Sequence, residues 1–317
     1  MKYKTKELVE EYLNSRKVNL KQYSFSILKN VIDKHFLIFF NDIDLNKLTP
    51  KIINDYYLYI ANLNLKPKTK NNIISSVLVL IDWLDIMELI PSNINKKFKQ
   101  ILKCFPLIEE PKNDYLNNDE IKKLLNSIET NNIEEKREKL MIEVFIFSGV
   151  RKSELRGLTF DDVDINNSTL LINKQIQTIT SNGKTSDVLV NYTKTNRNRM
   201  INIPKFLLKE ILKYKKEYLS YIKINNIEYD EYIFPYKVVR INRILDKHLK
   251  NANIKHIKVH DLRHTYCTML YDNGCDSKFV QKQMGHKSDR TSRDIYEHFT
   301  NKMESKGIEI INKICRL

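Results

Sequence analysis

The chain has 317 residues, 42% hydrophobic and 29% charged, a balance that excludes both a disordered tail and a membrane protein. Its formal net charge of +15 favours a polyanionic partner, nucleic acid first, although a chain rich in Lys and Asn is also what an AT-rich genome encodes. The N-terminus lacks the apolar stretch of a signal peptide, and the four cysteines form no C-x-x-C pair. We therefore expect a cytoplasmic protein without disulfide bonds or a zinc ribbon.

The first 96 residues are expected to form a domain of short helices. Apolar residues recur at three- and four-residue steps from Leu28 to Phe39, and Pro50 begins a second helical pattern. A third helical pattern begins at Pro67 and ends before Pro91. Residues 97–114 contain two prolines and show weak periodicity, which predicts a linker.

Residues 115–317 are expected to form a second domain that combines helices with a small antiparallel sheet. After two helical patterns the period changes to alternation beyond Gly157, and Asn182-Gly183 is a strong hairpin signal. The helices are predicted near 118–125, 140–147, 205–221, 239–250, 260–274, 277–284 and 308–314, and the strands near 169–174, 187–192 and 200–203.

Four motifs in the second domain contain the side chains that a phosphate-binding active site requires. They are FSGVRKSELRG with Arg151 and Glu154, TKTNRNR with Lys194, HDLRHT with His260 and Arg263, and MGHKSDRTSRDIYEH with His286 and Tyr296. Each motif alone has an ordinary explanation, such as a helical ion pair, a solvated lysine or a core histidine. Their joint order, each in a suitable predicted element, is much harder to obtain by chance.

In this order the motifs resemble the tyrosine recombinases, the phage integrase family. The resemblance covers essentially the whole chain, because LKPKTKNNIISSVLVLIDWLDIMELI is similar to the family's core-binding domain and YLNNDEIKKLL to the entry into its catalytic domain. Two small departures, Ser148 for the commoner Thr and Met284 for the commoner Leu, remove no reactive group. The implied fold is mainly α, with a helical SAM-like core-binding domain at 1–96, a linker at 97–114 and a catalytic domain at 115–317.

The resemblance also implies a role for each motif residue. Arg151 and Arg263 are implied to bind the non-bridging phosphate oxygens, to which His286 donates a hydrogen bond. Tyr296 is implied to form a 3′-phosphotyrosine, with His260 accepting the tyrosine proton. Lys194 then protonates the 5′ oxygen, and Glu154 orients the cations. Fixed cations meet the charge that develops on phosphorus, so we expect no metal, no cofactor and no ATP.

The implied partner is double-stranded DNA at a specific recombination site. Candidate DNA-facing side chains in the first domain are those of Lys66, Lys68, Lys70, Asn71 and Asn72, with a solvated helix face as an equal alternative. The last segment contains Ile308, Ile311 and Ile314 at helical spacing. This segment either packs on its own domain or docks on a neighbouring protomer, as in a homotetramer on two DNA sites. Whether an accessory directionality or DNA-bending protein takes part is left open.

Integration and excision of a mobile element is the favoured function, and several alternatives stay open. The core-binding region begins almost at residue 1, which leaves no room for an arm-binding domain and fits the Xer-like architecture of chromosome or plasmid dimer resolution. A type IB topoisomerase uses the same chemistry, and a DNA-binding protein without turnover is a further alternative. His256, His260 and His264, spaced four apart, form a minority metal-site hypothesis.

Overall fold

The computed structural model describes residues 4–107, 115–181, 184–191 and 198–286. The chain forms two compact units, the first comprising Met1–Glu110 with Ile179–Ser186 and the second Pro111–Thr178 with Asp187–Leu317. Each unit has its own hydrophobic core.

Helices form the first unit around an aromatic core. They are α1 Thr5–Asn19, α2 Gln22–Val31, α3 Leu37–Phe40, α4 Pro50–Asn62, α5 Pro67–Ile86 and α6 Ile94–Ile101, with a π-helical turn at Ile32–Phe36 before α3. Proline occupies the first turn of α4 and of α5, where its missing N–H costs no helical hydrogen bond. The rings of Phe36, Phe40 and Tyr56 are fully buried and contact one another.

The first unit extends beyond residue 96, into the range 97–114 that the sequence predicts to be a linker. Helix α6 places Phe98 in the core with 0% exposure, and Leu102 is buried after it. The side chain of Asn71 then accepts a hydrogen bond from the backbone N–H of Phe105 at 2.7 Å and donates one to its carbonyl at 3.0 Å. Apolar residues at helical spacing therefore outweigh the nearby prolines and keep this segment in the first unit.

The described residues from 115 onward form seven α-helices and five strands, of which Ile179–Ser186 in β3 and β4 belong to the first unit. They are α7 Asn118–Asn126, α8 Ile133–Ser148, α9 Lys152–Arg156, β1 Val163–Asp164, β2 Thr169–Ile172, β3 Gln175–Ser181, β4 Lys184–Val190, β5 Arg199–Asn202, α10 Lys205–Asn225, α11 Val238–Asn251, α12 Val259–Asp272 and α13 Ser277–Met284. Helix α8 is buried on nearly every side, as its apolar run from Leu140 predicts, and α10 and α12 pack against it.

The strands form two small sheets. Antiparallel pairing places β2 between β1 and β5, with Leu170 opposite Ile201 and Ile172 opposite Arg199. Strands β3 and β4 pair with each other in a separate ribbon. The chain runs from β4 to β5 through residues 191–198, so this connection joins the ribbon to the three-stranded sheet.

The predicted fold class, mainly α with a small antiparallel sheet in the second domain, is confirmed. The helix expected at 308–314 lies outside the described residues. Among the helices that the structure describes, none is both long enough and apolar enough to cross a bilayer.

Candidate active site

Two glycines with positive φ direct the chain into the candidate site. Gly149 ends α8 at φ +64° and Gly285 ends α13 at the same value, a left-handed conformation that glycine adopts without strain. Arg151 follows the first glycine by two residues and His286 follows the second directly. A Cβ on Gly149 would lie 2.6 Å from the ring of Tyr266, so this helix end also requires glycine for space.

Arg151 and Arg263 meet at the carbonyl end of α13. Arg151 Nη2 donates to the carbonyl of Gly285 at 2.7 Å, and Arg263 donates to the carbonyls of Met284 and Gly149. These carbonyls form the negative ends of α13 and α8, which favours cations there. Burial and, next, the charge of Arg151 lower the pKa of Arg263 to about 9. The guanidinium is therefore still mainly protonated at neutral pH.

Glu154 is the buried carboxylate of the site, with 0% of its side chain exposed. It accepts hydrogen bonds from the backbone N–H of Arg151 at 2.9 Å and from Arg151 Nη1 at 2.8 Å. Burial alone would raise the pKa of Glu154, but hydrogen bonds from Arg199 and the charges of Arg199 and Arg151 outweigh it and lower the pKa to about 2. The carboxylate is thus ionised and compensates part of the surrounding positive charge.

Arg199 belongs to the same cluster, although the sequence analysis did not select it. Its Nη1 and Nη2 donate to the two carboxylate oxygens of Glu154 at 2.9 and 2.8 Å, a bidentate pair. A Cβ on Gly285 would lie 2.8 Å from Arg199 Nε. Strand alternation was the available signal, because Arg199 and the buried Ile201 share one face of β5.

His286 lies beside these cations, and its surroundings favour the neutral imidazole. Burial, followed by the charges of Arg263 and Arg151, lowers the pKa of His286 to about 3, and His264 and His260 contribute in the same direction. His260 lies in the first turn of α12, exposed, with its ring edge-on to that of His264 at 4.9 Å. The structure therefore brings His260, Arg263 and His286 together.

The three histidines of the minority metal-site hypothesis do not lie on one helix face. Helix α12 begins at Val259, so His256 precedes the helix and does not continue the face of His260 and His264. His256 lies 3.2 Å from Asp246 and is largely exposed. In the parts of the chain that the structure describes, no group of three or more His, Cys, Asp or Glu side chains has the arrangement of a metal site.

The remaining candidate residues divide into three groups. Lys194 and Tyr296 lie outside the described residues. Lys66, Lys68 and Asn72 are exposed on or next to α5. Lys70 and Asn71, by contrast, have partners within the first unit: Lys70 Nζ donates to the carbonyl of Ala61 at 2.5 Å, and Asn71 binds the backbone of Phe105. The first contact satisfies a carbonyl near the end of α4, and the second holds the segment that follows α6.

The described site has the charge that an anionic phosphoryl group requires. Three guanidinium groups surround one carboxylate, which leaves a local charge of about +2 before a substrate binds. Arginine presents its donors in a rigid planar fork that fits phosphate oxygens. The cluster can therefore stabilise negative charge that develops on a phosphoryl group.

Comparison with known proteins gives matches along most of the chain. The model described as the phage integrase family matches residues 114–303, and the one described as the phage integrase N-terminal SAM-like domain matches residues 5–61. The ICEBs1 integrase of Bacillus subtilis strain 168 is 26% identical over 313 residues, 94% of this chain and 80% of that protein.

Two further similarities concern a recombinase and a solved structure. The tyrosine recombinase XerH of Campylobacter jejuni is 31% identical over 198 residues, 59% of this chain and 49% of that protein, so the match spans about half of XerH. The Tn1549 transposon integrase, solved with a circular intermediate DNA, is similar in fold, with a TM-score of 0.71 and 20% identity over 96% of this chain and 98% of that one.

Proposed function

Because the chain belongs to the phage integrase family, whose members cut and rejoin DNA, we propose that it is a site-specific recombinase that integrates and excises a mobile element. The observation that carries this proposal is the meeting of Arg151, Arg263 and His286 at the end of α13, next to the buried Glu154. These side chains come from separate motifs and form one cationic site, which suits transfer of a phosphoryl group.

In the proposed step Tyr296 Oη attacks the scissile phosphorus, and the bond from phosphorus to the 5′ oxygen breaks. The tyrosine hydroxyl has an ordinary pKa of about 10, so it needs a base, and His260 accepts its proton. Lys194 gives a proton to the departing 5′ oxygen. The DNA 3′ end stays attached as a phosphotyrosine, and attack by a 5′ hydroxyl of the partner strand reverses the step. Because the ester bond is exchanged and not hydrolysed, the step needs no ATP.

The charge state of the described site supports this chemistry. A neutral imidazole at His286 still has one N–H, which can donate to a non-bridging oxygen. Arg151 and Arg263 have donors beyond those used on main-chain carbonyls, since each guanidinium carries five N–H groups. An incoming phosphate brings the negative charge that opposes the mutual repulsion of these cations, so binding and charge stabilisation act together.

Mobile-element integration is supported by the similarity to the ICEBs1 integrase. That similarity spans 313 residues and both units, 94% of this chain and 80% of that protein. The substrate is then the element's own recombination site in double-stranded DNA, and the enzyme works in the cytoplasm, where a bacterial chromosome lies.

In the first unit, the exposed Lys66, Lys68 and Asn72 are the proposed DNA contacts, with the first two neutralising phosphates. We place the two units as domains on a common DNA site, with a boundary between residues 107 and 115. Recombination exchanges strands between two DNA sites. The proposed assembly is therefore a homotetramer in which each protomer docks its C-terminal segment on a neighbour. An accessory directionality or DNA-bending protein is compatible with it.

A suicide DNA substrate tests the proposal directly. A nicked duplex that contains the candidate attachment site next to the gene loses a short fragment after cleavage, so the covalent complex accumulates. With EDTA and no ATP, we expect a denaturing gel to show protein joined to a DNA 3′ end. Tyr296→Phe should bind DNA but form no adduct, because only the nucleophilic oxygen is lost.

Two further variants make the result specific. Tyr221→Phe changes an exposed tyrosine on α10 and should form the adduct normally. Arg151→Ala should slow its formation by about a hundredfold or more, the effect of removing one group that stabilises developing charge. An adduct that persists in Tyr296→Phe, or cleavage that requires a divalent metal ion, would contradict the proposal.

A further inference from the structure

The short helix α9 contacts both strands that flank the connection between β4 and β5. The helix starts after Arg151 and contains Glu154 and Arg156. Arg156 forms an ion pair with Asp187 on β4, and Glu154 forms one with Arg199 on β5. One element thus holds the residues on either side of residues 191–198, the segment whose sequence includes Lys194.

The contact with β4 is made by the buried guanidinium of Arg156, which has several partners. Arg156 is 2% exposed, and its Nη2 lies 2.5 Å from Asp187 Oδ2. The same guanidinium donates to the carbonyl of Tyr236 at 2.9 Å and to the hydroxyl of Thr178 on β3 at 3.0 Å. Thr178 in turn donates to Asp187 Oδ1 at 2.6 Å, so both oxygens of this carboxylate are held. The direction of β4 at Asp187 is fixed relative to α9.

The ribbon also packs tightly on the residue that ends α9. A Cβ on Gly157 would lie 3.1 Å from Cα of Gln175, the first residue of β3. Ser153 on α9 donates to the side chain of Gln175 at 3.0 Å, and Gln175 is 2% exposed. The start of the ribbon therefore has little freedom to move against α9.

The contact with β5 is the bidentate pair of Arg199 with Glu154. Planar pairing at 2.9 and 2.8 Å fixes orientation as well as distance. The same carboxylate binds the backbone and side chain of Arg151. The carboxylate of Glu154 therefore orients both Arg151 and the start of β5.

We propose that Asp187 and Arg199 are positioning residues that hold the two strands flanking the Lys194 segment in a fixed place relative to Arg151. This inference rests on the proposed function, in which Lys194 protonates the 5′ oxygen while Arg151 stabilises the phosphoryl charge. Both events occur on one phosphate, so the acid and the arginine must keep a fixed separation. Ion pairs from both flanking strands to the helix that begins directly after Arg151 support that separation.

Asp187→Asn tests the contact with β4 without changing the cationic cluster. The side chain is 36% exposed, and Arg156 keeps its bonds to Tyr236 and Thr178, so the variant should fold. Misplacement of a catalytic group by about 1 Å costs up to about a hundredfold, and we expect single-turnover cleavage to fall by roughly tenfold or more. Glu217→Gln is the matched control, since Glu217 is 32% exposed and pairs with Lys136 at 2.8 Å away from this segment.

A DNA substrate with sulfur in place of the bridging 5′ oxygen separates positioning from a structural effect. The bond from phosphorus to sulfur breaks, and a thiolate leaves without protonation because a thiol has a pKa of only about 8.5. If Asp187 acts through the acid, Asp187→Asn should cleave this substrate within about twofold of the unchanged protein, since no acid is needed. Equal losses on the oxygen and sulfur substrates, or no loss on either, would overturn the inference.

Arg199→Lys tests the contact with β5 in the same way. Lysine keeps the positive charge but cannot span both oxygens of Glu154. We expect cleavage of ordinary DNA to fall and cleavage of the sulfur substrate to recover most of that loss. A loss that the sulfur substrate does not recover would mean that Arg199 acts only through the cationic cluster.

Lys194→Ala keeps failure of this inference distinct from failure of the proposed function. If Lys194→Ala regains cleavage on the sulfur substrate, Lys194 is the acid. If Asp187→Asn then does not regain cleavage, only the positioning inference is contradicted. If Lys194→Ala does not regain cleavage, Lys194 is not the acid, and both the proposed role and the inference fail.

Discussion

Replacement of Glu154 by glutamine should destabilise the second unit strongly although the side chain keeps its shape. The carboxylate has no exposed surface and accepts hydrogen bonds from Arg151 and Arg199. Glutamine removes the negative charge and turns an N–H₂ group toward guanidinium donors. Two buried or part-buried cations then lose their counter-charge, next to a third at Arg263.

The size of the effect follows from the pKa of Glu154. Its lowering from 4.5 to about 2 corresponds to about 3 kcal/mol of stability at neutral pH. Removal of one partner from a buried ion pair costs about 3–5 kcal/mol, which agrees. The folded-state pKa is below the unfolded one, so this contribution is complete above the unfolded pKa and is lost as the pH falls toward the folded value. The native protein should therefore lose stability between about pH 5 and 2, and Glu154→Gln should lack that part of the loss.

Urea unfolding followed by far-ultraviolet circular dichroism measures this difference. The sole tryptophan, Trp83, lies in the first unit, so its fluorescence reports that unit separately. Glu217→Gln, in a part-buried pair, should cost about 1 kcal/mol or less. Arg199→Met in the Glu154→Gln background should cost less than in the native protein, because it removes an uncompensated cation. A loss below about 1 kcal/mol for Glu154→Gln would refute the electrostatic reasoning.

Three further outcomes are expected. Gly285→Ala should slow cleavage and cost more stability than Gly274→Ala. Both glycines have positive φ, but only at Gly285 would an added Cβ press against Arg199. Equal losses of stability in urea unfolding would contradict this packing. In NMR titrations without DNA, His286 should stay neutral down to about pH 3 and titrate higher with DNA bound; an ordinary titration near 6.5 would exclude its burial among cations. Asn71→Ala should destabilise the first unit by about 1–3 kcal/mol through its lost hydrogen bonds, whereas Lys68→Met should leave stability unchanged and reduce the salt dependence of DNA binding. Loss of stability in Lys68→Met and a reduced salt dependence in Asn71→Ala would contradict both assignments.

The candidate site was predictable from the sequence where its signals are local. Gly149 and Gly285 mark helix ends, and Arg151 with Glu154 lies at the spacing that lets a third-position glutamate reach the backbone before a helix. The order of motifs then identified His260, Arg263 and His286, which the structure brings together. Local chemistry and chain order sufficed for these residues.

What the sequence analysis missed depends on distant partners. Arg199 pairs with a carboxylate 45 residues earlier in the chain. Its alternation with Ile201 is a weak signal, because Arg197 has the same alternation in the sequence. The predicted linker at 97–114, based on two prolines and weak periodicity, overlaps the end of α6, where Phe98 is buried in the first core. The spacing of His256 suggested a ladder, yet spacing has this meaning only within one helix, and α12 begins three residues later.

Mass spectrometry of the covalent complex tests the central claim most directly. The complex is trapped on the suicide substrate in EDTA, digested with a nuclease and trypsin, and searched for the modified peptide. The account predicts one nucleotide, joined through its 3′ phosphate to Tyr296. A nucleotide joined through its 5′ phosphate, or attached to another residue, would contradict the assignment of a metal-independent tyrosine nucleophile to this cationic site.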